Sequence, residues 1–330
     1  MRLVAYFLGL LAFLSGPALG QAFSPDKLQA LERRLESLTT ENDGEYGIAA
    51  MDLQTGAVVS INGDEPFPMA STMKIAVAAA YLAEVDAGRR SLTDRIGSST
   101  AGELMDLMIT RSSNPATDQL IAALGGPAVV DAWLRNNRLS GIRVDRNIAS
   151  LLHARRDLND VRDSSTPEAM LGLLRLIDSG NALSRQSRAV LLDMMRRCRT
   201  GSNRIRGLLP PGVTVENKTG TLNGYTGDVG FLTLPDGRRI AVAFFARGGS
   251  NRPAVISTAA RAIADTFVGR QPTVAGRPVQ TLFSGPAPSF AAPGTSPASL
   301  CSAGPGRPGL AACTPAPAAA APAASGPIGQ

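Results

Sequence analysis

An uninterrupted apolar run, Leu3 to Leu14, follows Arg2 and precedes the small-residue exit Ala18-Leu19-Gly20. The run is shorter than the roughly 20 residues of a membrane span, so residues 1–20 predict a signal peptide cleaved before Gln21. No Cys near that point offers a lipid attachment site, and no later segment reads as transmembrane. The pattern then becomes helical. Leu28, Leu31, Leu35 and Leu38 recur at three- and four-residue spacing, which predicts an amphipathic helix over 25–40. YGIAAMDL (46–53) and AVVSIN (57–62) read as strands joined by the turn Gln54-Thr55-Gly56.

Six apolar runs follow, at 75–85, 101–109, 116–124, 127–134, 167–178 and 184–195, and predict helices separated by breakers such as Gly125-Gly126 and Gly180. Strands return at 213–220, 226–234 and 239–247, the last two forming a hairpin through Pro235-Asp236-Gly237. A helix over 254–268 closes the pattern. The order predicts an α+β fold. One antiparallel sheet of about five strands draws on both ends of the domain, about 26–65 and 211–268. Helices flank it at both ends, and an all-helical part, about 71–210, is inserted. Pro, Ala, Gly and Ser dominate residues 271–330, so the folded domain is expected over 21–270 and a disordered tail after it.

Composition narrows the class. A hydrophobic content of 44% supports a sizeable core, and 5% aromatics makes it mostly aliphatic. The net charge of +6 raises nucleic acid as a partner, but the arginines lie in scattered pairs among acidic residues, without a nucleic-acid motif. They read as a solvated surface. No Cys/His cluster suggests a metal, and no cofactor is expected. Cys198 reads as a packing thiol, while Cys301 and Cys313 either close a small loop or stay unpaired.

The distribution of basic residues carries more information. Of 33, only Lys27, Lys74 and Lys218 are lysine. Lys can give up a proton where Arg cannot. Ser71 and Lys74, within MASTMK, fall on one face of a helix start, where unpaired N–H groups favour developing negative charge. A serine there could attack a carbonyl, with a neutral lysine as base. The alternative is a capping serine beside a surface lysine. His153 is the single histidine, and its setting gives no sign of a Ser-His-Asp triad. Two further motifs follow: Ser112-Ser113-Asn114 before a helix and Lys218-Thr219-Gly220-Thr221 at a strand end. Each alone is an ordinary helix start or strand end.

Together and in this order the three motifs resemble the class A serine β-lactamase family over about 26–268. MITRSSNPATDQLIAALGG, DSSTPEAM and ENKTGTLNGYTGDVGF agree. The resemblance implies an active-site groove between sheet and helices. It implies Ser71 as the acylated nucleophile, Lys74 as base or proton relay, and Ser112 as proton donor to the leaving nitrogen. Asn114 would bind the substrate amide, while Lys218, Thr219 and Thr221 of the Lys218–Thr221 motif would hold its carboxylate. The oxyanion hole would come from the N–H groups of Ser71 and Thr221. Lys218 should also depress the pKa of Lys74 by like charge.

The chain departs from the family at two places. Ser113 stands where the family usually has Asp. More seriously, the loop closing between Asp145-Arg146 and Asp163, with an Arg146–Asp163 ion pair expected, contains no glutamate to activate the deacylating water. Counted from Asp157-Leu158-Asn159, Arg155 takes the glutamate's place; counted from Asp145-Arg146, Ile148 does. Asp157, His153 and Asp160 remain as loop candidates, Asp157 first, unless all three are ordinary loop polar residues. Three readings follow: an exported β-lactamase-like serine hydrolase, a penicillin-binding D-Ala-D-Ala peptidase or other amide/ester hydrolase of the cell wall, and a non-catalytic envelope protein. The first implies a small β-lactam or peptide-like substrate, a periplasmic or secreted monomer, and no membrane insertion of the mature chain.

Overall fold

A computed structural model describes residues 24–268. The expected signal peptide, the tail and the Cys301/Cys313 pair lie outside the described residues. The Leu-spaced segment forms helix α1 (Pro25–Thr40), with Pro25 at a position where its missing N–H costs nothing. Strands β1 (Glu45–Asp52) and β2 (Val58–Ile61) follow, then the short β3 (Phe67–Pro68). Helix α2 (Lys74–Asp86) leads to the small ribbon β4 (Arg95–Ile96) and β5 (Ser99–Thr100). Next come α3 (Ala101–Thr110), α4 (Asn114–Leu124), α5 (Pro127–Asn136) and α6 (Ile148–His153). Strand β6 (Ser164–Ser165) precedes α7 (Pro167–Asp178) and α8 (Arg185–Arg196). Strands β7 (Thr214–Leu222), β8 (Tyr225–Thr233) and β9 (Arg239–Arg247) and helix α9 (Arg252–Phe267) complete the order.

The main sheet runs β2-β1-β9-β8-β7, antiparallel throughout, so the two ends of the domain do meet in one sheet. Central strand β9 shows why its sequence is apolar at nearly every position. Ile240, Val242 and Phe244 pack with Leu31, Leu35, Ile263 and Phe267 of α1 and α9. The alternate residues Ala241, Ala243 and Phe245 face the opposite core, with α2 and α7. Residues 75–82 of α2 are all buried, as expected of a helix apolar on every side. Lys74 opens that helix and is buried too.

The β4–β5 ribbon and the short α6 have no counterpart among the predicted elements, and two further unanticipated features bear on the site. Ser71 lies on a 3₁₀ turn, Ala70–Met73, that runs into α2, rather than on the α-helix itself. Strands β3 and β6 also pair, Phe67 with Ser165 and Pro68 with Ser164. Two-residue strands carry no periodicity, so the pattern could not reveal them. Their pairing fastens the segment before Ser71 to the end of the 146–163 loop, and Met69 N–H adds a bond to the Asp163 carbonyl at 2.9 Å.

Candidate active site

The turn bearing Ser71 is tightly determined. Ala70 adopts φ +48°, a left-handed conformation that costs a non-glycine residue roughly 1–3 kcal/mol. The Thr72 N–H and hydroxyl both donate to the Met69 carbonyl, at 3.0 and 2.7 Å. Strand β7 runs close alongside. A Cβ added to Gly220 would sit 2.6 Å from the Met69 carbonyl and 3.2 Å from Ala70 Cβ, so glycine is what lets β7 approach the turn that bears Ser71. Ser71 and Thr221 therefore flank the same contact.

Lys74 and Lys218 enter from opposite sides and meet at Ser112. The Lys74 amine donates to the Ser112 carbonyl at 2.7 Å, the Asn114 Oδ1 at 2.8 Å and the Ser112 hydroxyl at 3.2 Å. The Lys218 amine donates to the same hydroxyl at 3.0 Å and to the Thr219 carbonyl at 2.9 Å. Ser112 has φ +58°, and Ser113 caps α4 by accepting from Ala116 N–H at 3.3 Å. The unusual Ser113 thus serves as an N-cap.

Both amines are displaced from ordinary lysine behaviour. Burial pushes Lys74 down to about 7, the Lys218 charge pushes the same way, and Asp118 opposes them. Burial likewise lowers Lys218, to about 8. An arginine in either place would stay charged. Behind β7, burial raises the carboxyl of Asp228 to about 6. It accepts from Asn217 Nδ2 at 2.7 Å and Ile205 N–H at 3.2 Å, which fixes the strand carrying Lys218.

Arg204 was missed by sequence reasoning, since no motif surrounds it. Its guanidinium donates to the Gly220 and Gly227 carbonyls, both at 2.9 Å, and to the Thr221 hydroxyl at 2.7 Å. It adds positive charge beside the Lys218–Thr221 segment. Thr219 shares a 2.5 Å hydroxyl contact with Thr200.

The 146–163 loop closes as expected. Arg146 Nε meets Asp163 Oδ2 at 2.5 Å, and Asp163 Oδ1 accepts from the Asp145 and Arg146 N–H groups at 2.8 and 2.9 Å. Asp160 pairs with Arg162 and Arg146, and the Arg162 bond holds its carboxyl down at about 2. Of the two residues counted into the glutamate's place, Ile148 is buried at the start of α6 and Arg155 is exposed. Asp157 is exposed; its Oδ1 accepts from Asn159 N–H at 2.9 Å. It lines a cavity of about 50 Å³ that also borders Ala70. His153 ends α6, exposed.

A serine on a strained turn, two buried lysines sharing a second serine, and a sheet edge pressed against the turn define a serine acyl-transfer centre in an α+β fold. The chain belongs to the β-lactamase enzyme family, whose model matches residues 30–267. It is 30% identical over 262 residues to β-lactamase CTX-M-8 of Citrobacter amalonaticus, covering 72% of this chain and 89% of that protein. An ancestral class A β-lactamase of Gram-negative bacteria matches with TM-score 0.68 and 35% identity, over 72% of this chain and 100% of the other. A β-lactamase of Chitinophaga pinensis matches with TM-score 0.67 and 28% identity, over 72% and 98%. The fold is that of the class A enzymes. Among the described residues, no helix is long and apolar enough to cross a membrane.

Proposed function

We propose that this enzyme opens β-lactam rings through an acyl-Ser71 intermediate and clears that intermediate without a loop glutamate. The meeting of Lys74 and Lys218 on the Ser112 hydroxyl carries the reading. Neutral Lys74 takes the Ser71 proton as Oγ attacks the ring carbonyl. The proton passes through Ser112 to the ring nitrogen as the C–N bond breaks. Asn114 binds the side-chain amide. Lys218, Thr219, Thr221 and Arg204 hold the substrate carboxylate, while the Ser71 and Thr221 N–H groups face the oxyanion. For deacylation we nominate Asp157. Asp160 and Asp163 are committed to arginines, whereas Asp157 has no arginine partner among the described residues and borders the cavity beside Ala70. Export through residues 1–20 belongs to the same proposal.

A D-Ala-D-Ala peptidase is the second reading, favoured by the absence of a glutamate from 146–163. One experiment separates the two. The mature protein is mixed with a chromogenic cephalosporin, and ring opening and intact mass are followed together. Steady turnover abolished by Ser71→Ala is expected. One equivalent of opening with a lasting adduct would establish the peptidase-like reading, and neither opening nor adduct would overturn both.

A further inference from the structure

Without a loop glutamate, the buried Lys74 needs a negative charge from elsewhere. Ser71 cannot lose its proton to Lys74 without creating a buried ammonium, which has only neutral oxygen acceptors around it, beside the positive Lys218. The groups that bear on Lys74 come from two elements: Lys218 on β7 repels the ammonium, and Asp118 on α4 attracts it. Asp118 lies one helical turn beyond Asn114, whose Oδ1 binds the Lys74 amine at 2.8 Å. The half-buried Asp118 carboxylate also reaches the loop. Its Oδ1 accepts from Ile148 N–H at 2.6 Å and its Oδ2 from Ala149 N–H at 2.9 Å. It therefore grips the loop at the residue that one count puts in the glutamate's place, while its charge bears on the lysine.

We propose that Asp118 is the positioning carboxylate of this active site. It clasps the start of α6 and sets its negative charge against Lys74, stabilising the ammonium formed when Lys74 takes the Ser71 proton. The loop's missing charge is thus supplied by the neighbouring helix. A neutral hydrogen-bonding residue at 118 could satisfy a loop N–H but could not do this. The proton is only relocated in the process, from Ser71 Oγ to Lys74 Nζ and onward through Ser112, and Asp118 takes no part in the transfer.

This inference rests on the proposed acyl-enzyme chemistry, but its test does not need a substrate. The chain has three lysines, so lysine labelled with ¹³C at Cε gives three signals in the full protein. Lys27→Arg and Lys218→Arg identify two of them, and the third is Lys74. The Lys74 signal should titrate with a midpoint near 7 in the natural protein. In Asp118→Asn the midpoint should fall by about one pH unit, and in Asp118→Glu it should return most of the way. The acidic limb of acylation by a cephalosporin should move by the same amount. A purely structural role would lower thermal stability and leave the Lys74 midpoint in place, which would overturn the inference. Should Asp118→Asn unfold, its buried lysines would titrate like free lysine. Asp118→Ser, which keeps an acceptor for one loop N–H, then carries the test under the same criterion. A shifted midpoint in a protein that opens no β-lactam would sink the proposed function and leave the charge assignment standing.

Discussion

The two sides of Ser71 are built differently. On one side the contacts are dense: two buried amines share one hydroxyl, a glycine admits β7, and Arg204 ties three points of the neighbouring strands together. On the other side, the 146–163 loop is held by Arg146–Asp163, by Asp118 and by a long Arg247 bond to the Leu158 carbonyl, while its middle residues 155–157 are exposed. Acylation needs fixed geometry from the first side. In the proposed reaction, deacylation draws its water and base from the second. The contrast suggests that the two half-reactions can be altered separately, and the following experiments press on that separation.

The largest effect should come from Lys74→Arg, which leaves a permanent charge where the proposed mechanism requires a base. Acylation should slow by about a thousandfold, read from the rate of adduct appearance in single turnover. In the natural protein the sign of the pH dependence follows from the same amine. Its folded pKa, near 7, lies below the ordinary lysine value, so the neutral base accumulates and acylation accelerates as pH rises through 7. As pH passes about 8, Lys218 loses its charge and KM for carboxylate-bearing substrates should climb. Acylation that is flat between pH 6 and 8 would remove Lys74 from the mechanism.

Next is Asp163→Asn. Asp163 is 2% exposed and holds one guanidinium and two N–H groups. Losing its charge should cost about 3 kcal/mol, measured by urea unfolding. Acylation of the variant should stay within a few-fold of normal. A collapse of acylation would break the comparison, because it would show that the loop and the Ser71 turn are one unit, joined through β3, β6 and the Met69–Asp163 bond.

How far the sequence alone reached divides along the same line. Long, periodic elements were legible to within a few residues: α1 over 25–40 and β9 over 239–247 coincide with the observed bounds, because their burial on one or two faces is written into residue spacing. Ser71, Lys74, Ser112, Asn114 and Lys218 were legible because they sit in short motifs, and the structure brings the last four into one hydrogen-bonded cluster. What was not legible is what depends on contacts distant in sequence. Arg204 lies in a loop without pattern, and its meaning comes from three acceptors 16 to 23 residues away. Asp118 looks like any polar residue on an exposed helix face until the fold carries Ile148 to it. Helix α6 is six residues long, too short for periodicity to show.

A smaller effect is expected from Asp157→Asn, which bears only on the loop side. Turnover should fall by about a hundredfold while adduct formation keeps its rate, so that the acyl-enzyme becomes visible by mass. Unchanged turnover would take Asp157 out of the deacylation step and leave the water to be activated from the lysine side.

The smallest effect should come from Arg204→Ala. The guanidinium lies beside Thr221 but its Nη atoms are already engaged by two carbonyls and a hydroxyl, so it can offer a carboxylate more field than new hydrogen bonds. Charge held in place by protein acceptors acts before and after the chemical step alike. Its loss should therefore raise KM by about tenfold with kcat nearly unchanged, the signature of binding that ground and transition states share. The change should shrink for a substrate whose carboxylate is esterified. A drop in kcat instead would mean that Arg204 holds the β7 edge against the Ser71 turn, through the Gly220 carbonyl. In that case the rigidity of the acylation side would depend on a residue outside all three motifs.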